Sequence, residues 1–135
     1  MKPSHSLTRT IFSDLTEVDF VCQDARKLLE TLSLIQHGFS VELLLREFLN
    51  NAMIHGNGLD AHKQVRVLFQ IGIKWIRIQI ADEGPGFNWR KAKRTPPDPD
   101  AESGRGLAIA MIYAHRVRFN RIGNQVTIWI KKTDE

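Results

Sequence analysis

Trp75-Ile76-Arg77-Ile78-Gln79-Ile80-Ala81-Asp82-Glu83-Gly84-Pro85-Gly86-Phe87 is the stretch on which the fold turns. Ile76, Ile78 and Ile80 alternate with Arg77 and Gln79, the period of two that turns one set of side chains toward a core and the other toward a polar or partly covered face. The pattern predicts a strand over about 74–81. That strand runs straight into Asp82, which places an acceptor at a strand end facing a cleft. Gly84 and Gly86 let backbone approach a ligand that a Cβ would block. Taken alone, the same two glycines also suit an ordinary turn.

N-terminal to this strand, residues 65–71 read as a second strand, with Gly72 in the tight connection. Before it, Gly38 is expected to break the chain and Ser40 to cap a helix over about 41–55, which Gly56-Asn57-Gly58 stops. Val41, Leu44, Leu45, Phe48 and Ala52 give that helix its core face. Leu7 to Phe12 alternates as a strand. Ser13 or Asp14 then caps a helix whose apolar residues, Leu15, Val18, Cys22, Ala25, Leu29 and Leu32, fall on one stripe. Within that stripe Cys22 reads as a small buried hydrophobe and not as a reactive thiol.

C-terminal to Phe87 the periodicity disappears. Residues 88–103 hold Pro96, Pro97 and Pro99 beside the basic run Arg90-Lys91-Ala92-Lys93-Arg94, which predicts a long loop of the lid or binding type. Gly104 and Gly106 open a third helix to about residue 114. Two last strands, near 116–121 and 125–131, meet at Gly123-Asn124. The order β-α-α-β-β-loop-α-β-β predicts an α+β, two-layer sandwich: a mixed, largely antiparallel sheet with helices on one face, as a single domain over 1–135.

Composition agrees with that size. The chain has 135 residues, 42% hydrophobic and 25% charged, enough to bury a core without staples, and its single Cys22 has no intrachain disulfide partner. No apolar run approaches the roughly 20 residues of a membrane span, and no signal-peptide core follows the N-terminus, so a reduced cytoplasm is the expected location. The net charge of +4 is uneven: residues 1–60 hold five Lys/Arg against eight Asp/Glu, and residues 61–135 hold fourteen against seven. A basic half suits nucleic acid, an acidic partner, bound phosphate or plain solvation. No aromatic-studded basic stripe or zinc-finger spacing is present in the linear sequence, so neither direct nucleic-acid nor membrane binding is expected.

Two more clusters carry chemistry. Glu47, Asn51 and His55, spaced by four, stack on one helix edge, where a carboxylate one turn from an amide oxygen offers hard ligands for Mg²⁺ or its bound water. The alternative is a polar edge facing solvent. Ser103-Gly104-Arg105-Gly106-Leu107 begins a helix, and free N–H groups with the positive dipole end make an anion seat, or simply a cap. His5, His37, His62 and His115 lie at no metal-ligand spacing and are expected at the surface or at caps.

In order, Glu-x-x-x-Asn-Ala on a helix, strand-Asp-x-Gly-x-Gly-Phe, a long loop and Gly-x-Gly-Leu opening a helix resemble the nucleotide site of the GHKL superfamily, the Bergerat-type ATPase fold of gyrase, Hsp90, MutL and histidine kinases. Glu47 to Ala52 matches the N box, Asp82 to Phe87 the G1 box and Gly104 to Leu107 the G2 box. The resemblance implies that Asn51 ligates the Mg²⁺ bridging the ATP phosphates and that Asp82 accepts from the adenine amino group. It further implies that Gly84, Gly86 and Phe87 pass over the nucleotide, that Gly104, Arg105, Gly106 and Leu107 cradle phosphate, and that residues 88–103 form the ATP lid. His55 either lines this site or is a satisfied helix-end histidine. No Gly-Lys-Ser/Thr of a Walker loop occurs.

Asn-Ala-x-x-His-Gly in a lone domain looks most like the bacterial anti-sigma-factor serine kinases. That likeness implies Glu47 as the base for a serine hydroxyl, a sigma factor or small antagonist protein as partner, and a homodimer. A nucleotide-dependent switch without kinase turnover and a stand-alone histidine-kinase catalytic domain are the alternatives.

Overall fold

The structure is a computed structural model that describes residues 3–88, 108 and 112–133. The expected lid, apart from Asn88, and the phosphate seat at Gly104, Arg105, Gly106 and Leu107 lie outside the described residues. So does most of the third helix, whose described residues Ala108, Ile112 and Tyr113 are helical.

Five strands form one sheet: β1 (His5–Phe12), β2 (Gln64–Ile71), β3 (Trp75–Ala81), β4 (Arg116–Phe119) and β5 (Gln125–Lys131), in the order β1-β2-β3-β5-β4. All four ladders are antiparallel, so the expected α+β sandwich with a largely antiparallel sheet is what the chain forms. β3 is central. Ile78 pairs with Phe69 on one side and Ile128 on the other, and all three are fully buried. The alternation seen in the sequence thus places Ile76, Ile78 and Ile80 under the helices.

Two helices, α1 (Thr16–Thr31) and α2 (Gly38–Asn51), cover that inner face. Leu29, Leu44, Leu45 and Leu49 are fully buried between layers, and Cys22 is buried in the same stripe. Burial pushes the Cys22 thiol up to about 11, which keeps it protonated and unreactive at neutral pH. Arg46 reaches Asp19 at 2.7 Å and Glu42 at 3.2 Å, and Arg26 reaches Glu42 at 2.7 Å. The Arg46–Asp19 and Arg26–Glu42 pairs tie α1 to α2, the Arg46–Glu42 pair lies within α2, and each of these exposed pairs contributes at most about 1 kcal/mol beside the apolar packing.

Helix boundaries depart from the sequence reading in instructive ways. Asp14 accepts the Thr16 amide at 3.0 Å, as a capping residue would, and the Thr16 hydroxyl and amide hold its carboxyl below the usual range. Ser13 turns inward instead and donates to the Lys63 carbonyl at 2.9 Å. The expected break at Gly38 falls earlier, at Ser33, which takes a left-handed φ of 58° while Leu34 donates back to the Leu29 carbonyl at 2.8 Å. Ser33 thus fills the place glycine usually holds after a helix. Gly38 is helical and opens α2, after a 3₁₀ turn at Ile35–His37. His37, expected at the surface or at a cap, stands at the N-cap position of α2 and is buried there, accepting the Thr133 amide at 3.1 Å and pinning the C-terminal segment to that turn.

The largest departure is at the end of α2. Instead of continuing to His55, the α-helix ends at Asn51 and widens into a π-helical turn over Ala52–Gly56, closed by the Asn57 amide donating to the Ala52 carbonyl at 2.8 Å. A π turn carries one more residue than an α turn and is frequent at functional sites.

Candidate functional site

Glu47 and Asn51 lie one α-helical turn apart on α2, half-buried, and neither side chain makes a hydrogen bond to a described residue. The four-residue spacing therefore sets both oxygens on one edge, available to a ligand. His55 is exposed and lies within the π turn, beyond the α-helix that carries Glu47 and Asn51. Among the described residues no cluster of three or more His, Cys, Asp or Glu could hold a metal by itself. A cation at Asn51 would need ligands from elsewhere, as one riding on phosphates has.

The π turn delivers Gly56 to the end of β3. There Asp82 is half-buried and accepts the Gly84 amide at 2.7 Å. A Cβ on Gly56 would collide with the Asp82 carboxylate, and one on Gly84 would overlap the Gly56 carbonyl oxygen. Gly86, at φ +84°, has its α-carbon against the Ile122 carbonyl. The close approach that Gly84 and Gly86 permit is thus to the protein's own backbone, and that of Gly56 is to the Asp82 carboxylate. The 82–87 loop is threaded between the end of α2 and the β4–β5 turn.

That turn is built by Asn120, whose Oδ1 accepts the amides of Gly123, Asn124 and Gln125 at 2.8, 3.0 and 3.2 Å, so β4 stops at Phe119 and not at residue 121. Asp82 donates its amide to the Asn124 carbonyl at 2.9 Å, and Phe87 donates to the Ile122 carbonyl at 2.8 Å. The Phe87 ring, half exposed, meets Phe119 edge-on at 5.4 Å, and Phe119 leans on Phe48 of α2 at 6.5 Å. Aromatic contact thereby links the loop to the helix that carries Glu47 and Asn51.

Asn57 escaped the sequence reading, where it stood only as part of a helix stop. It is 3% exposed and is the hub of the site's far side. Its Nδ2 donates to the Ser13 hydroxyl and the Gln64 carbonyl, both at 3.0 Å, while its Oδ1 accepts the Glu83 amide at 2.8 Å. One side chain joins the ends of β1 and β2 to the loop after β3. Asn57→Ala strands these buried groups, and each such loss costs about 1–3 kcal/mol with partial relief by water. Urea unfolding should show a loss of about 2 kcal/mol; a loss under about 0.5 kcal/mol would mean that the hub is not structural.

Asp82 has the electrostatics of a ligand-binding group. Burial pushes its carboxyl above the ordinary 3.8, against the Gly84 amide and Lys63, which pull it down. Folding therefore disfavours its charged form: the stability it contributes is full below pH 3.8 and is lost as pH rises through the raised folded value. At neutral pH the site holds a carboxylate that the unliganded fold would be better without. A half-buried acceptor, a free helix-edge carboxylate and amide, and a glycine-lined loop beside them fit a nucleotide carrying a metal.

The profile of the histidine kinase-like ATPase domain matches residues 11–131, and the chain belongs to that family. That match and the fold make it an ATP-binding domain of the GHKL type. A comparison with curated proteins finds no match.

Proposed function

We propose that the protein is an ATP-dependent serine kinase of the anti-sigma-factor type, which passes the γ-phosphate of Mg·ATP to a serine of a small antagonist protein. The observation that carries this reading is the Glu47 carboxylate one turn before Asn51, without a hydrogen-bond partner among the described residues. A hydroxyl nucleophile benefits from such a base, whereas the imidazole nitrogen that attacks the γ-phosphorus in a histidine kinase needs none. Glu47 takes the serine proton while the serine oxygen bonds to the γ-phosphorus and the bond to the β-phosphate oxygen breaks, releasing ADP. Asn51 is the metal ligand of the chain; bound Mg²⁺ supplies neutralisation of phosphate charge. Asp82 receives the adenine amino group. By sequence, Gly104 to Leu107 seat the phosphates, with Arg105 or a cation of the 88–103 stretch offsetting their charge.

Calorimetry with Mg·ATP, followed by transfer of labelled γ-phosphate to a co-purifying partner, tests the reading. Asp82→Asn should weaken ATP binding by about tenfold, since a neutral amide accepts roughly half as strongly as a carboxylate. Without nucleotide its melting temperature at neutral pH should be no lower than that of wild type, because the desolvated charge is gone. Unchanged ATP affinity in this variant would remove Asp82 from the adenine site. Nucleotide binding without transfer to any partner would favour a nucleotide-dependent switch.

A further inference from the structure

The sheet face turned away from the helices carries a charge pattern that the nucleotide site does not use. The strand registers align Thr8, Leu68, Gln79, Thr127 and Arg118 in one row and Ser6, Gln70, Arg77, Trp129 and Arg116 in the next. Arg66 and Lys131 flank these rows. No strand places an Asp or Glu on this face. Four strands contribute at most two cations each, so the patch has no counterpart as a run in the linear sequence. Every ion pair among the described residues lies on the opposite layer or at its border with β1, and Arg66, Arg118 and Lys131 have none.

We propose that this open face docks a protein partner presenting a cluster of carboxylates. Five cations and no acid on one flat surface create a positive field that a complementary surface would neutralise. The arginines are also prepared for carboxylates: Arg77 is held on the Gln70 side-chain oxygen through its Nε and one terminal nitrogen, and Arg116 stacks 4.8 Å over the Trp129 ring. Planar guanidinium forks fixed in this way bind carboxylate oxygens in pairs.

Single-stranded nucleic acid is the less favoured occupant, because sheet platforms that bind it stack bases on open aromatic faces. Here Trp129 is covered by Arg116, and Trp75 packs against His115 with ring centroids 6.0 Å apart. A second copy paired face to face would oppose like charges. Five strands at about 4.8 Å spacing and seven residues at about 3.4 Å rise give a face of roughly 20 by 24 Å, enough for the centre of a standard interface.

Poly-L-glutamate at low salt is the probe, with a single-stranded oligonucleotide in parallel. Arg118→Glu should weaken polyglutamate binding at least about fivefold, while Lys27→Glu, on α1 and of identical net charge, changes it by less than about twofold. If Arg118→Glu does not fold, Arg66→Gln with Arg118→Gln makes the same comparison. Equal weakening by the α1 variant would reduce the effect to net charge and overturn the proposal. Tighter, Arg118-dependent binding of the oligonucleotide would overturn it in favour of nucleic acid. An Arg118-dependent dimer in sedimentation would overturn it in favour of a second copy.

Discussion

Replacing Glu47 by Gln is expected to lower phosphoryl transfer to the antagonist by roughly 10²–10⁴-fold while leaving Mg·ATP affinity within about twofold, the signature of a lost general base. The amide keeps the shape and the hydrogen-bonding reach of the carboxylate but not its basicity. Nothing in the fold depends on the charge, since Glu47 is half-buried without a bond to any described residue. The two readouts therefore separate. Asn51→Ala should give the contrasting pattern, because on the proposed reading it removes the chain's Mg²⁺ ligand and would weaken Mg²⁺-dependent nucleotide binding itself. Transfer at the wild-type rate by Glu47→Gln would reject the base, even with ATP binding intact.

The elements of this domain were legible because its core obeys simple periods. Ile76, Ile78 and Ile80 on β3 and the three-and-four spacing of α1 are forced by burial, and the strands and helices bounded among the described residues lie within a few residues of their expected limits. What was not legible depends on long-range partners. Ser33 ends α1 in a conformation that the residue type does not announce, and Gly38 opens α2 at a position that does not require glycine, since a Cβ there would make only an ordinary 3.6 Å contact with Ile35. The π turn has no local signal; it is set by the need to bring Gly56 against Asp82. Asn57 looks like loop composition until strands from three parts of the chain converge on it. Glu47, Asn51 and Asp82, the groups proposed to meet the ligand, stand out in the sequence as motifs, whereas Asn57, which ties the strand ends to the loop after β3, does not.

That division has its sharpest consequence at Gly84. Gly84→Ala should cost more than about 3 kcal/mol and abolish ATP binding, the upper end of what overpacking does. The added Cβ would overlap the Gly56 carbonyl oxygen and stand 2.9 Å from the Asp82 Oδ1. Neither neighbour can give way cheaply. The Gly56 carbonyl belongs to the π turn, which Asn57 anchors through its side-chain bonds to Ser13, Gln64 and Glu83, and the Asp82 carboxylate is held by the Gly84 amide itself. Displacing the loop would move Asp82 from the position in which it is proposed to receive adenine and would pull on Phe87 and its contact with Phe119. Gly58→Ala is the control: at φ +61° and with nothing within 4 Å of its Cβ position, it carries backbone strain alone, about 1 kcal/mol, and ATP binding should persist. Were Gly84→Ala to melt with Gly58→Ala and still bind ATP, the contact between α2 and the β3 loop would not be what shapes the site.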